Sequence, residues 1–257
     1  MQQGDEPNLG LALGALALAT VSFAASAADH VFSNATGFTI SDNAAASLYP
    51  SGITVSGLSG NMSKVEVSLH GLSHSFIGDL NILLVAPDGQ TVALVRRPGT
   101  ESSTFGWGND FSNAEITFSA SATGPVSLAN PVPNGTYLPT GGGSTNAYSP
   151  APVGPYSIDL TTLAGVAQNG SWKLFIGDHA AGDTGSLSGG WTLNITTELS
   201  VTCASEGYTG TQLTWCRNIC EMGYTGSTLN TLDPALDGPL SPTAVLRHRP
   251  QPVPTEL

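Results

Sequence analysis

Basic residues are scarce in this chain. Seven Lys and Arg stand against nineteen Asp and Glu in 257 residues, leaving a net charge of -12. Phosphate backbones need a basic face to bind, and none can be assembled here, so nucleic acid is excluded as a partner. Charge of either sign is sparse, at 10%, while Gly reaches 31 and Pro 17. That composition argues against long helices and for many short strands joined by tight turns. Only three cysteines are present; a closed structural zinc site wants four ligands, and no histidine lies near them. The acidity suits a soluble secreted surface or a cation-binding one. The length holds one large domain or two small ones and is ample for a sandwich core.

The most informative stretch runs from Ser73 to Gly89. A Gly78-Asp79 corner leads into Leu80-Asn81-Ile82-Leu83-Leu84-Val85, an apolar run that stops at Pro87-Asp88-Gly89. A short apolar run bounded by turn residues reads as a buried strand, and Pro-Asp-Gly supplies the turn. Thr91 to Val95 returns as the hairpin partner. Upstream, Val65 to His70 alternates strictly, placing Val65, Val67 and Leu69 inward and Glu66, Ser68 and His70 on the other face. Val31 to Ile40 reads as one or two edge strands closed by Ser41-Asp42-Asn43, and Glu115 to Phe118 as another strand. Ser119 to Pro155, dense in Pro, Gly, Ser and Asn, reads as a surface excursion. Tyr156 to Asp159 reads as a short strand, Leu160 to Ala167 as a helical turn or two, and Trp172 to Ile176 and Trp191 to Ile195 as the closing strands. Roughly eight or nine short strands predict an all-β, two-sheet antiparallel, jelly-roll-like sandwich.

Beside Gly78-Asp79-Leu80 and Pro87-Asp88-Gly89 stand Gly170-Ser171-Trp172, Gly177-Asp178, Gly182-Asp183-Thr184-Gly185-Ser186-Leu187 and Trp191-Thr192-Leu193. In this order and spacing they resemble the P domain (P/Homo B) of subtilisin-like proprotein convertases, over residues 31 to 197. The resemblance implies a non-catalytic accessory domain that stabilises, and tunes the specificity of, a subtilisin-like serine endopeptidase. No catalytic domain accompanies it in this chain, so the protease would act in trans. The alternative, from another functional class, is an extracellular binding or adhesion module with Ser119 to Pro155 as its contact surface.

No catalytic residue emerges. A serine-protease triad needs a nucleophile context and a scaffold that are absent, and His70 and His74 read as surface histidines. Asp183-Thr184-Gly185-Ser186 spells an aspartic-protease signature, but that chemistry needs two such carboxylates and one copy is present. The candidate metal ligands are Asp178, Asp183 and Asp79, for calcium: loop carboxylates and carbonyls make an oxygen cage, and the family resemblance adds calcium to the expectation. Asp42 and Asp110 are further loop carboxylates. Capping of turns by these aspartates is the structural alternative. Trp172 and Trp191 read as buried, Trp107 as exposable, and Arg96-Arg97 as a solvated pair in a loop.

The chain is divided into a signal peptide (1-27), the sandwich domain (28-198), a cysteine-bearing appendix (199-228) and a disordered Pro-rich tail (229-257). The leader has an apolar run, Leu9 to Phe23, and a small-residue Ala25-Ser26-Ala27 site, although it carries Asp5 and Glu6 where a positive segment is usual. Export is expected, to the extracellular space or periplasm, with no stable membrane span after cleavage. Cys203, Cys216 and Cys220 offer three alternative disulfide pairings with one thiol left over.

Overall fold

The structure, a computed structural model, describes residues 27–143 and 145–198. The expected leader up to residue 26, the appendix, the tail and the three candidate disulfide cysteines, Cys203, Cys216 and Cys220, lie outside the described residues, while Ala27, the leader's last residue, opens the first strand. Eleven strands form two sheets, and the only helical pieces among the described residues are two short 3-10 turns, Ile77–Asp79 and Leu160–Leu163. No helix among them is long and apolar enough to cross a membrane.

The first sheet is built around β4 (Asn61–His74), with β11 (Trp191–Glu198) and then β1 (Ala27–Asn34) on one side. Further along the same side of β4 come β10 (Gly185–Leu187) and β2 (Phe38–Ile40), and on its other side β7 (Phe111–Ser119). β8 (Gly135–Tyr137) adds a short parallel pairing to β7. The second sheet runs β3 (Ser51–Val55), β9 (Gly170–Asp178), β5 (Leu80–Val85), β6 (Thr91–Arg96), all antiparallel. This is the predicted all-β sandwich, and its strand order is compatible with jelly-roll winding. β1 and β2 are both edges, as expected, and β1 pairs with β11 over eight residues from Ala27↔Glu198 to Asn34↔Trp191.

The inner faces meet in one continuous core that includes Val65, Val67, Leu69, Ile82, Leu84, Trp172 and Trp191. Trp172 and Trp191 are both fully buried, as their strand positions predict. Trp191 Nε1 donates to Ser51 Oγ at 3.0 Å, tying the first sheet to the second across the core. The hairpin turn forms as its residues dictate. Gly89 N–H donates to Ala86 O, Asp88 Oδ1 accepts from Gln90 N–H, and Gly89 takes φ 94°.

Two readings are corrected. Tyr156 to Asp159 is not a strand; Ser157 makes only an isolated parallel bridge to Val92. Ser119 to Pro155 is not a free surface excursion. Val126 and Val132 enter the main core, while Ala151 and the adjoining Tyr156 pack with Leu83, Val85, Ala93 and Phe175 on the outer face of the second sheet. Leu80–Val85 is therefore buried at every position. A strand covered on both faces loses the polar alternation of a half-exposed one, which explains its continuous apolar run.

The third departure is in β4. Val65, Val67 and Leu69 point inward, but the next buried side chains are Leu72 and His74, so the inward face changes parity. A bulge at His70-Gly71 inserts the extra residue, with register breaks against β7 between Leu69 and Leu72 and again before His74. Gly71 sits at φ 65°, a left-handed conformation that favours glycine. Its N–H, freed from the ladder, donates to Glu115 Oε1 at 3.0 Å. The other Glu115 oxygen meets His70 Nδ1 at 2.7 Å.

Candidate functional site

The parity change delivers His74 to the end of the sandwich where the Gly78-Asp79 corner and the 178–184 turn converge. There His74 is 2% exposed, contrary to its reading as a surface histidine. Its Nε2 lies 3.1 Å from Asp178 Oδ2, and neither side chain touches solvent. Nδ1 lies 3.0 Å from Phe76 O and 3.2 Å from Phe76 N, and Nε2 faces the Asp178 carboxyl group. Asp178 Oδ1 accepts from Ala180 N–H, and its backbone carbonyl accepts from Tyr148 Oη–H. Burial, the largest influence, holds the Asp178 carboxyl above its ordinary range against the opposing pull of the Ala180 N–H and His74.

The dyad has the outline of a hydrolase His–Asp pair. A general base must reach the proton that it abstracts, and this imidazole has both nitrogens engaged by Asp178 and Phe76. The neighbouring Ser75 is exposed and turns its Oγ–H to Asp183 Oδ1 at 2.7 Å instead. As placed, the pair ties the end of β4 to the end of β9.

The candidate calcium ligands Asp79, Asp178 and Asp183 all come to this end. Asp79 belongs to the corner Ile77–Asp79, which packs so closely on Phe105-Gly106-Trp107 that a Cβ at Gly78 would stand 2.7 Å from Phe105 O and 2.8 Å from Trp107 N. The Gly78 N–H donates to Trp107 O, fixing that loop against the corner. Trp107 is partly buried against the main core. Asp79 itself is 4% exposed. Burial first, and then the charge of Asp178, raise its carboxyl above the ordinary range, with Arg97 pulling the other way. Asp42 caps the same turn by accepting from Gly182 N–H at 2.9 Å. Asp110 serves elsewhere, its backbone bonding Asn130 and Val132.

Arg97 was missed in the sequence reading of a solvated Arg96-Arg97 pair. Arg96 ends β6 with its guanidinium 5.1 Å from the centre of the Tyr156 ring. Arg97 takes φ 40° and turns inward: Nε donates to Gly78 O at 3.1 Å, and Nη2 stands 3.6 Å from Asp79 Oδ1. The residue type gave a signal, since this is the domain's one basic pair at the end of an apolar strand. Its direction depends on the backbone at Arg97.

His179, also missed, stacks on Tyr148 with ring centres 4.2 Å apart, and its Nε2 is buried without a hydrogen-bond partner among the described residues. Burial, reinforced by Arg97, depresses its pKa to about 4. A histidine held neutral in the folded state stabilises fully above the unfolded pKa, roughly 6.5, and loses that contribution as pH falls toward the folded value. Between pH 7 and pH 4.5 the wild type should therefore lose about 2 kcal/mol more, allowing for partial exposure, than His179→Phe, which keeps the stack but cannot titrate. Urea unfolding at both pH values measures it. The raised Asp79 and Asp178 act with the opposite sign and cancel in the comparison. Equal losses in the two proteins would remove His179 as the cause.

The oxygens needed for a calcium cage are largely engaged: Asp178 by His74 and Ala180, and Asp183 by Ser75, with Arg97 facing Asp79. Among the described residues no group of three His, Cys, Asp or Glu side chains is placed to hold a metal ion. In this arrangement Asp178 and Asp183 already serve protein donors, and Asp79 faces the cavity beside Arg97.

Comparison with known proteins finds a family match over part of the chain. No curated protein matches the chain significantly. A chain of the crystal structure of the Aeromonas sobria serine protease in complex with its chaperone aligns at 15% identity and TM-score 0.34, covering 68% of this chain and 28% of that one. The Aeromonas sobria serine protease alone aligns at 12% identity and TM-score 0.31, covering 69% of this chain and 28% of that one. The chain thus spans under a third of the length of either. The family model of the proprotein convertase P-domain matches residues 62–124, the run from β4 through β7, and so bears out the P-domain resemblance of this sandwich.

Proposed function

We propose that this chain is a secreted, non-catalytic P-domain that works as an accessory to a subtilisin-like serine endopeptidase carried on another polypeptide. The observation that carries the reading is the P-domain match over residues 62–124, which covers β4, around which the first sheet is built, and β5, one of the two inner strands of the second. The engaged and buried His74–Asp178 pair supports an accessory role over hydrolysis by the chain itself. Secretion is supported by the leader's apolar run and small-residue site in the sequence.

A binding or adhesion module independent of proteolysis is the second reading. It is favoured by Phe105, 74% exposed beside an open cavity at the Asp79 end. A pull-down from culture supernatant with the tagged chain, labelled with a fluorophosphonate probe, separates the two. The expected result is a labelled subtilisin-like protease that co-purifies with the chain. No labelled partner, with the bait itself unlabelled, would overturn the protease reading and leave the binding module.

A further inference from the structure

The open end of the sandwich holds a cavity of about 270 Å³, walled by Phe76, Phe105 and Ala180, with Asp79 and Arg97 at its floor and Asp183 at its rim. Sites for drug-sized ligands run to roughly 300–1,000 Å³, so this one has room for a single side chain. Its floor is unusual. Asp79 is 4% exposed, lines the cavity, and its carboxylate accepts no hydrogen bond among the described residues. Arg97 Nη2, at 3.6 Å, lies beyond bonding distance. Asp79 therefore pairs with Arg97 only at ion-pair range and opens onto the cavity, so a ligand that brings a closer donor would give its carboxylate a stronger partner.

The charges decide which ligand. Two carboxylates face one guanidinium in the lining, and that guanidinium already donates Nε to Gly78 O and Nη1 to Thr145 Oγ1, the latter at 3.5 Å. Asp42, fixed on Gly182 N–H, adds negative charge behind the turn. An anion would meet this surplus, whereas a cation would find Asp79 at the base and Asp183 at the rim. Phe105, on the exposed wall, and Phe76 offer aromatic faces that attract a cation further.

We propose that this cavity receives one lysine or arginine side chain of a protein partner. The inference deepens the reading of the domain as one that works through protein contact, and it is tested without any protease.

The test titrates the ¹⁵N-labelled chain with Nα-acetyl-lysine methylamide, and separately with its norleucine counterpart, which has the same stem without the charge. Saturable amide shifts are expected at residues 76–79, 97, 105 and 180–183 with the lysine compound and not with norleucine. Asp79→Asn should weaken binding about tenfold, as removal of a charge-assisted bond does. Should that variant fail to fold, Asp183→Asn at the rim carries the test, with roughly two- to fivefold weakening. Equal shifts with norleucine, or lysine affinity unchanged in Asp183→Asn, would overturn the inference. So would calcium chloride moving the same amides and blocking the lysine compound, which would make the cavity a metal site. Loss of the protease in the pull-down leaves this result untouched, and a failed titration leaves the pull-down untouched.

Discussion

Replacing His74 with alanine is expected to destabilise the domain by about 3–5 kcal/mol, the cost of leaving a buried charge without its partner. Asp178 and His74 share a contact from which solvent is excluded on both sides, so the alanine variant leaves Asp178 without its side-chain donor in a buried setting. Burial already raises the Asp178 carboxyl, and loss of the donor raises it further, so part of the penalty is relieved by protonation. The decisive comparison is the double variant. Asp178→Asn alone disturbs the pair, but in the His74→Ala background it removes an orphaned charge and should restore part of the lost stability. Urea unfolding of the four proteins gives the coupling. Additive losses would mean that His74 acts only by filling space.

The second large effect is at Trp191. Trp191→Ala should cost about 3–5 kcal/mol, as expected for emptying a fully buried aromatic site. Trp191→Phe separates packing from the bond between sheets. It retains most of the ring but removes the Nε1–H donor to Ser51 Oγ, and should cost about 1–2 kcal/mol. Ser51 Oγ keeps a second donor, Asn34 Nδ2 at 3.2 Å, which limits the loss. A Phe variant as unstable as the Ala variant would assign the energy to the hydrogen bond instead of the ring.

What was legible in the sequence had a local cause. The β5–β6 hairpin is bounded by its own Pro-Asp-Gly turn, and Trp172 and Trp191 sit in strands whose alternation sends them inward. His74 was illegible because alternation holds only while the ladder is unbroken. One extra residue at Gly71 inverts every later side chain in β4. The segment from Ser119 to Pro155 was misread for a different reason. Its buried hydrophobic side chains, Val126, Val132 and Ala151, are widely spaced because only the three-residue β8 within it joins a sheet, and the rest packs against the sandwich as loop. Covering residues carry no period.

The candidate site divides along the same line. Asp79, Asp178 and Asp183 were identifiable as turn carboxylates, and the fold brings them to one end. Their partners, His74, Ser75 and Arg97, come from different strands and loops, and no spacing within one segment encodes that meeting. Arg97 was read as solvated because its neighbours in sequence are polar or turn-forming. Its carbonyl partner at Gly78 and its place beside Asp79 exist only once β6 lies against β5.

The register of β1 on β11 has a mechanical consequence. Ala27 pairs with Glu198 and Asn34 with Trp191, so the two ends of the described chain leave side by side from one corner. In the proposed exported chain, cut after Ala27, a force pulling those ends apart would load the Ala28–Thr197 pair first and the others one after another, as a zipper opens. Resistance in that direction is set by one pair at a time, whereas the same ladder pulled along its strands would bear the load on all its bonds at once. If the domain tethers one protein to another through both ends, strain in the tether would peel an edge strand away before it disturbed the core behind His74.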